Sequence, residues 1–170
     1  MGEAGILRED ERVELIEGEI VQMNPIGSRH MRCVNELNWL LGQQIRDRGL
    51  RVSVQNPIRL NGGLEPQPDL AVLRAGDYAD SLPGPEDVLL AIEVSDTTLG
   101  YDRNVKLPLY ARAGIREAWI ADLPNEAIER YTDPSEDGYR HMERVGRGRS
   151  LTSEALPDLT LYTDTVLGEG

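Results

Sequence analysis

Three residues in the middle of the chain have side chains that can do chemistry, in places where packing alone would not put them: Asp69, Glu93 and Lys106. Asp69 opens the apolar run DLAVLR (69–74), and Glu93 interrupts VLLAIEVS (88–95), a stretch otherwise suited to a strand covered on both faces. An ionised carboxylate in such a run costs several kcal/mol or more unless something compensates it. Two kinds of partner are open at this point. One is a divalent cation, since hard carboxylate oxygens suit magnesium or manganese; the other is a basic side chain in a half-buried ion pair.

Lys106 is the only lysine in a chain of 170 residues that carries 17 arginines. Asp102, Lys106 and Tyr110 are spaced by four, which stacks them on one face of a helix. A surface pair of Asp102 with Lys106 would be worth only a few tenths of a kcal/mol, and arginine would make it equally well. The single ammonium therefore points to a compact charge that approaches a water or a phosphoryl oxygen, a task that the planar, permanently charged guanidinium fills poorly. Glu14 and Glu17 differ by three in an alternating stretch, so they point to opposite faces and only one can serve a given site. His30 opens a long helix, where a structural or capping role is the ordinary one, and His141 reads as surface. Ser95 to Thr98 form a strand-to-helix turn, with Asp96, Thr97 and Thr98 as capping residues. No glycine-rich phosphate loop, nucleophile elbow or histidine-rich zinc motif is present.

The elements that must position these groups follow from the pattern. VELIEGEIVQM (13–23) alternates about the turn signal Glu17-Gly18 and predicts a hairpin. From Arg29 to Gly49, Met31, Val34, Leu37, Leu40, Leu41 and Ile45 fall on one helical face, with Gly49 as the stop. RVSVQNPIRL (51–60) predicts an edge or bulged strand interrupted by Pro57. The runs 69–74 and 88–95 predict neighbouring strands at the sheet centre, followed by a helix to about Ala113, kinked or tightened at Pro108 and ended by Gly114. REAWIAD (116–122) is a further strand, AIERYTD and YRHMERV form an antiparallel hairpin about DPSEDG, and the tail beyond carries little pattern. The order predicts a mixed α/β layer fold.

Composition narrows the classes. The length fits a single domain over 1–170, with no repeat or linker. One cysteine, Cys33, excludes an internal disulfide and a cysteine-based zinc cluster and reads as a buried apolar side chain. A net charge of −12 opposes a nonspecific DNA-binding module, but not an acidic site in which a metal supplies the positive charge. No segment approaches the roughly 20 apolar residues of a spanning helix, so a soluble, cytoplasmic protein is expected.

In order along the chain, ELIEGEI (14–20), His30, Pro68-Asp69, IEVSDTTLGYDRNVK (92–106) and LYARAGIREAWIADL (109–123) resemble the Uma-two family of restriction-type endonucleases, part of the PD-(D/E)xK nuclease superfamily. The likeness spans about residues 12–165. It implies a restriction-endonuclease-like α/β fold: a central mixed β-sheet flanked by helices, with an N-terminal hairpin and a C-terminal antiparallel hairpin. It also implies that Asp69 and Glu93 are metal-binding acids, that Glu14 is the acid of the first motif and joins them, and that Lys106 is catalytic. His30, Glu17, Ser95 and Asp102 would support them. In E-x-K the lysine would stand at position 95, where this chain has Ser95; the likeness suggests that the lysine has moved to the following helix as Lys106. The implied activity is Mg²⁺- or Mn²⁺-dependent hydrolysis of DNA, with RNA equally compatible with these residues. The rival expectation is a catalytically silent nuclease-fold module for binding or assembly. A homodimer is also suggested, although Trp39, Trp119 and the aliphatic runs fit a single core as well.

Overall fold

The apolar runs of the middle of the chain become the centre of a six-stranded sheet. A computed structural model describes residues 13–22 and 27–170, so Met23, the last residue of the expected hairpin, lies outside the described residues. That hairpin pairs Val13–Ile16 (β1) with Glu19–Gln22 (β2). Its two-residue loop holds Glu17 and Gly18 at φ +50° and +80°, the left-handed pair that a tight hairpin turn requires. Ser28–Ile45 (α1) follows, and Gly49 ends the extra helical turn beyond it at φ +69°.

The main sheet takes Arg51–Val54 (β3), Leu70–Leu73 (β4), Val88–Ser95 (β5), Glu117–Asp122 (β6), Ala127–Ser135 (β7) and Gly138–Gly146 (β8), hydrogen-bonded in that order. β5 and β6 run parallel, and the other neighbours run antiparallel. Parallel neighbours need a crossover, and this one carries Lys106: Leu99–Tyr101 (α2), a π-helical turn over Asp102–Lys106, and Leu107–Arg112 (α3). Along β5, Leu90, Ile92 and Val94 pack towards α1 with Leu37 and Leu41, whereas Ala91 packs on the other side with Leu107 and Tyr110. Alternation thus turns Glu93 and Ser95 towards the crossover.

Several elements differ from the pattern-based expectations. β3 stops at Val54, and Gln55, at φ +54°, leaves Pro57 outside the strand. The crossover is one run of helical backbone from Leu99 to Arg112, and its irregularity is a π turn, in which the Leu107 amide reaches the Asp102 carbonyl five residues back; Pro108, with no N–H to donate, follows that turn directly. β7 runs on to Ser135, so the hairpin turn is only Glu136-Asp137; Pro134 is tolerated because β6 pairs no further than Thr132. Met31 and Trp39, assigned to the core by spacing or type, are 54% and 59% exposed.

The tail is more ordered than its sequence suggests. Ser150–Thr152 (β9) pairs with Thr160–Tyr162 (β10), and Thr163–Leu167 (α4) follows. Leu151, Leu156, Leu159, Leu161 and Val166 join the core beneath α1. Glu117, fully buried, accepts hydrogen bonds from Trp119 Nε1 (2.7 Å), Ser153 Oγ (2.7 Å) and the Ala155 amide (2.8 Å), which stitches the tail to β6. Cys33 is buried, and burial pushes its thiol up to about 12. No described helix is long and apolar enough to cross a membrane.

Candidate active site

Four elements deliver polar groups to one point. β5 supplies Glu93, and the β4–β5 register, Leu70 beside Ile92, sets Asp69 across from Glu93 when extended by one residue. The crossover lays Lys106 over them, and β1 contributes Glu14. Lys106 Nζ lies 2.7 Å from Glu14 Oε1 and 2.8 Å from Glu93 Oε1, and it donates to the Gln67 carbonyl at 3.0 Å. Glu14 Oε1 also accepts the Gln67 amide at 2.9 Å, so the hairpin is fastened at this point. Asp69 Oδ2 accepts the Val94 amide at 2.8 Å and is hydrogen-bonded by His30 Nε2 at 3.1 Å. Tyr110 donates its hydroxyl to Glu93 Oε1 at 2.5 Å.

Asp102 forms the next layer. Its Oδ2 accepts Ser95 Oγ at 2.6 Å and Thr98 Oγ1 at 2.7 Å. The residue at the vacant lysine position of E-x-K is therefore a hydroxyl that ties the strand end to the helix bearing Lys106. This reverses the capping expectation: Thr98 bonds a side chain further along the helix, and Asp96 lies near Arg29 (3.6 Å) rather than capping a backbone amide. Glu17, grouped with the supporting residues, does not join them; it sits in the exposed hairpin turn, 3.9 Å from Arg112. His30, Ser95 and Asp102 do join. Tyr110 was visible as the third member of the i, i+4 series but had no assigned role, and Gln67 contributes through its main chain, which no side-chain pattern announces. His141 is exposed, as expected.

The electrostatics are unbalanced. Glu14, Asp69, Glu93 and Asp102 are all 5% exposed or less, and Lys106 is the ammonium buried with them. Burial alone would lower the Lys106 pKa, but Glu93, Glu14, Asp69 and Asp102 outweigh it and hold the ammonium firmly protonated. Glu93 moves the other way: burial, with the charges of Asp69 and Asp102 beside it, pushes its carboxyl well above the ordinary range despite Lys106. Burial also raises Asp102 beyond what Lys106 and the two hydroxyls offset. Asp69 stays below its ordinary value, because His30, Lys106 and the Val94 amide overcome the effect of burial. Burial and the Glu93 charge raise the Tyr110 phenol, which keeps it a donor.

This surplus of carboxylate has the chemistry of a hard-cation site. Among the described residues no three histidine, cysteine or carboxylate side chains form a ready-made metal cage. Magnesium does not require one, since it keeps several waters and takes one or two carboxylates. Glu14 Oε2, His30 Nδ1 and the Tyr101 hydroxyl are buried without a hydrogen-bond partner among the described residues, so unspent polar capacity borders the cluster. The residues present fit such an ion.

A family model matches residues 4–164, and its description reads "Putative restriction endonuclease". Among solved structures, the chain is similar to a protein from Anabaena variabilis titled a "putative nuclease belonging to DUF820". The two share 16% identity at a TM-score of 0.75, over 91% of this chain and 89% of the other, which establishes the fold. No curated protein sequence matches the chain significantly.

Proposed function

We propose that this chain, which belongs to the Uma2 family, is a metal-dependent nuclease that hydrolyses DNA phosphodiester bonds at the site formed by Glu14, Asp69, Glu93 and Lys106. The observation that carries this reading is the Lys106 ammonium lodged between Glu14 and Glu93 within a surplus of buried carboxylate. Asp69, Glu93 and the main chain near Val94 would hold magnesium or manganese, with Glu14 as a further ligand. Such an ion supplies Lewis-acid charge and lowers the pKa of water that attacks phosphorus. The protein's own residues do the rest. Lys106 orients the attacking water and offsets the charge that grows on the phosphoryl oxygens, where preorganised electrostatics count most. His30 and Tyr110 fix the carboxylates of Asp69 and Glu93, and Ser95 and Thr98 hold Asp102 behind Lys106.

A second reading, a nuclease-fold module that binds or assembles without catalysis, is favoured by the near-complete burial of the same four groups. Incubation of the purified protein with supercoiled plasmid, single-stranded DNA and RNA, in Mg²⁺, Mn²⁺ or EDTA, separates the two. The nuclease reading expects DNA cleavage that needs the metal and is lost in Asp69→Ala and in Lys106→Arg. Cleavage surviving in both variants would remove these residues from the mechanism, and a folded protein that cuts nothing would favour the silent module. Cleavage confined to RNA would change the substrate and keep the chemistry.

A further inference from the structure

The face of the sheet that carries Glu93 also carries a second charged group. In register, Glu93 lies beside Ile120, Ile120 beside Glu129, and Glu129 beside Arg144, so a single row crosses from β5 to β8. Asp122, paired with Ser95, borders that row. Asp122 and Glu129 are 0% and 1% exposed, and two arginines lie over them. Arg103 grips Glu129 through Nε and Nη2, and its Nη2 is 3.6 Å from Asp122. Arg144 Nη1 is 2.7 Å from Glu129 and 3.3 Å from Asp122.

The acids are covered and the cations are not. Arg103 and Arg144 keep 37% and 39% of their side-chain surface exposed. A guanidinium has five N–H donors, so each retains donors beyond those spent on its carboxylates, in an orientation those carboxylates fix. Arg103 stands in the π turn between Asp102 and Lys106, which joins this group to the site. Three strand spacings set the Arg144 backbone about 14 Å from that of Glu93. Successive phosphates of one strand rise about 3.4 Å along a duplex axis and step further apart around it, so that distance is on the order of a few nucleotides.

We propose that Arg103 and Arg144 form a phosphate anchor that holds the nucleic acid strand a few nucleotides from the cleaved bond. The proposal rests on the nuclease reading above. The overall charge of −12 repels a polynucleotide, so exposed, preoriented guanidinium groups of this kind would add local attraction to the charge that a bound metal supplies. Arginine suits the role because its planar fork matches two phosphate oxygens.

The test is fluorescence anisotropy with a labelled oligonucleotide across a salt series, in Ca²⁺, alongside steady-state cleavage in Mg²⁺. Removing Arg144 alone would leave Glu129 partly uncompensated and could unfold the chain, so the main variant is the double Glu129→Gln with Arg144→Gln, which keeps the net charge. Arg144→Lys is the second, retaining charge without the fork. The double variant is expected to weaken binding roughly five- to tenfold and to lower the slope of log Kd against log salt by about one. In cleavage, its KM should rise while kcat holds, a split that a purely structural role would not give. Arg144→Lys should recover the slope and only part of the affinity. Unchanged affinity and slope in a folded double variant would overturn the anchor and leave the nuclease reading intact. Wild-type binding that depends on Arg144 without any cleavage would keep the arginines as a phosphate contact but overturn their role beside a cleaved bond together with the nuclease reading, and a wild type that binds no nucleic acid overturns both.

Discussion

Replacing Lys106 takes away the ammonium on which two buried carboxylates depend. Lys106→Met should destabilise the metal-free protein by about 3–5 kcal/mol, as expected when one partner of a buried ion pair is removed. Urea denaturation in EDTA measures this, and millimolar Mg²⁺ should raise the midpoint of the variant more than that of the wild type, since a cation can replace the lost charge. A midpoint insensitive to the substitution would mean that the carboxylates are balanced elsewhere. Glu93 offers a test through pH. Its folded-state pKa is raised by burial, so the stability it contributes is present at low pH and is lost as pH rises from the ordinary glutamate range of about 4.3 towards the folded value. Glu93→Gln cannot ionise, and in EDTA it should therefore gain stability relative to wild type as pH increases from 4 to 8; a flat difference would contradict the raised value. At this scale the sequence was informative because its anomalies were chemical. A carboxylate inside LLAIEV and a single lysine among arginines both mark positions where packing did not choose the residue. Glu17, which the resemblance grouped with the supporting residues, is the first residue of the hairpin turn and stays outside the site, in keeping with the opposite facing of Glu14 and Glu17 in an alternating stretch.

The crossover between β5 and β6 shows where pattern reading runs out. Its residues four apart do meet on one side, but a regular α-helix and a wider π turn both achieve that, so the spacing of Asp102, Lys106 and Tyr110 cannot tell them apart. Pro108 signalled an irregularity without revealing its form. One hydroxyl ties the crossover to β5 beside the contacts of Lys106 and Tyr110 with Glu93: Ser95 is 0% exposed and donates to the buried Asp102 carboxylate. Ser95→Ala should cost about 1–3 kcal/mol, the expense of leaving a buried acceptor short of a partner. Thermal unfolding measures that loss, and the displaced Asp102 should also lower kcat. A variant as stable and as fast as wild type would show that Thr98 alone fixes Asp102. The strands were legible by contrast, since β4, β5 and β6 are apolar runs bounded by turn residues, with lengths and neighbours close to those expected.

For the molecule as a whole, the core extends further along the chain than hydrophobic periodicity reveals. β9 and β10 have three residues each, too few for alternation to emerge, yet Leu151, Leu159 and Leu161 are each no more than 1% exposed. The converse error concerns tryptophan: Trp119 is 1% exposed and Trp39 is 59% exposed, so residue type alone did not separate them. Trp39→Ser should change stability by no more than about 0.5 kcal/mol, whereas Trp119→Ala should cost about 3–5 kcal/mol; chemical denaturation compares the two directly, and equal losses would place Trp39 in an interface. The fold therefore brings Asp69, Glu93 and Lys106 together from two strands and a crossover, with Glu14 closing over them from the hairpin. Under the proposed function this cluster binds a divalent ion. The most direct test is an anomalous diffraction map from crystals grown or soaked in Mn²⁺. A peak in contact with both the Asp69 and Glu93 carboxylates is expected, and it should be absent from Asp69→Ala crystals. A map with no peak there at millimolar Mn²⁺, and Lys106 still seated between Glu14 and Glu93, would contradict it.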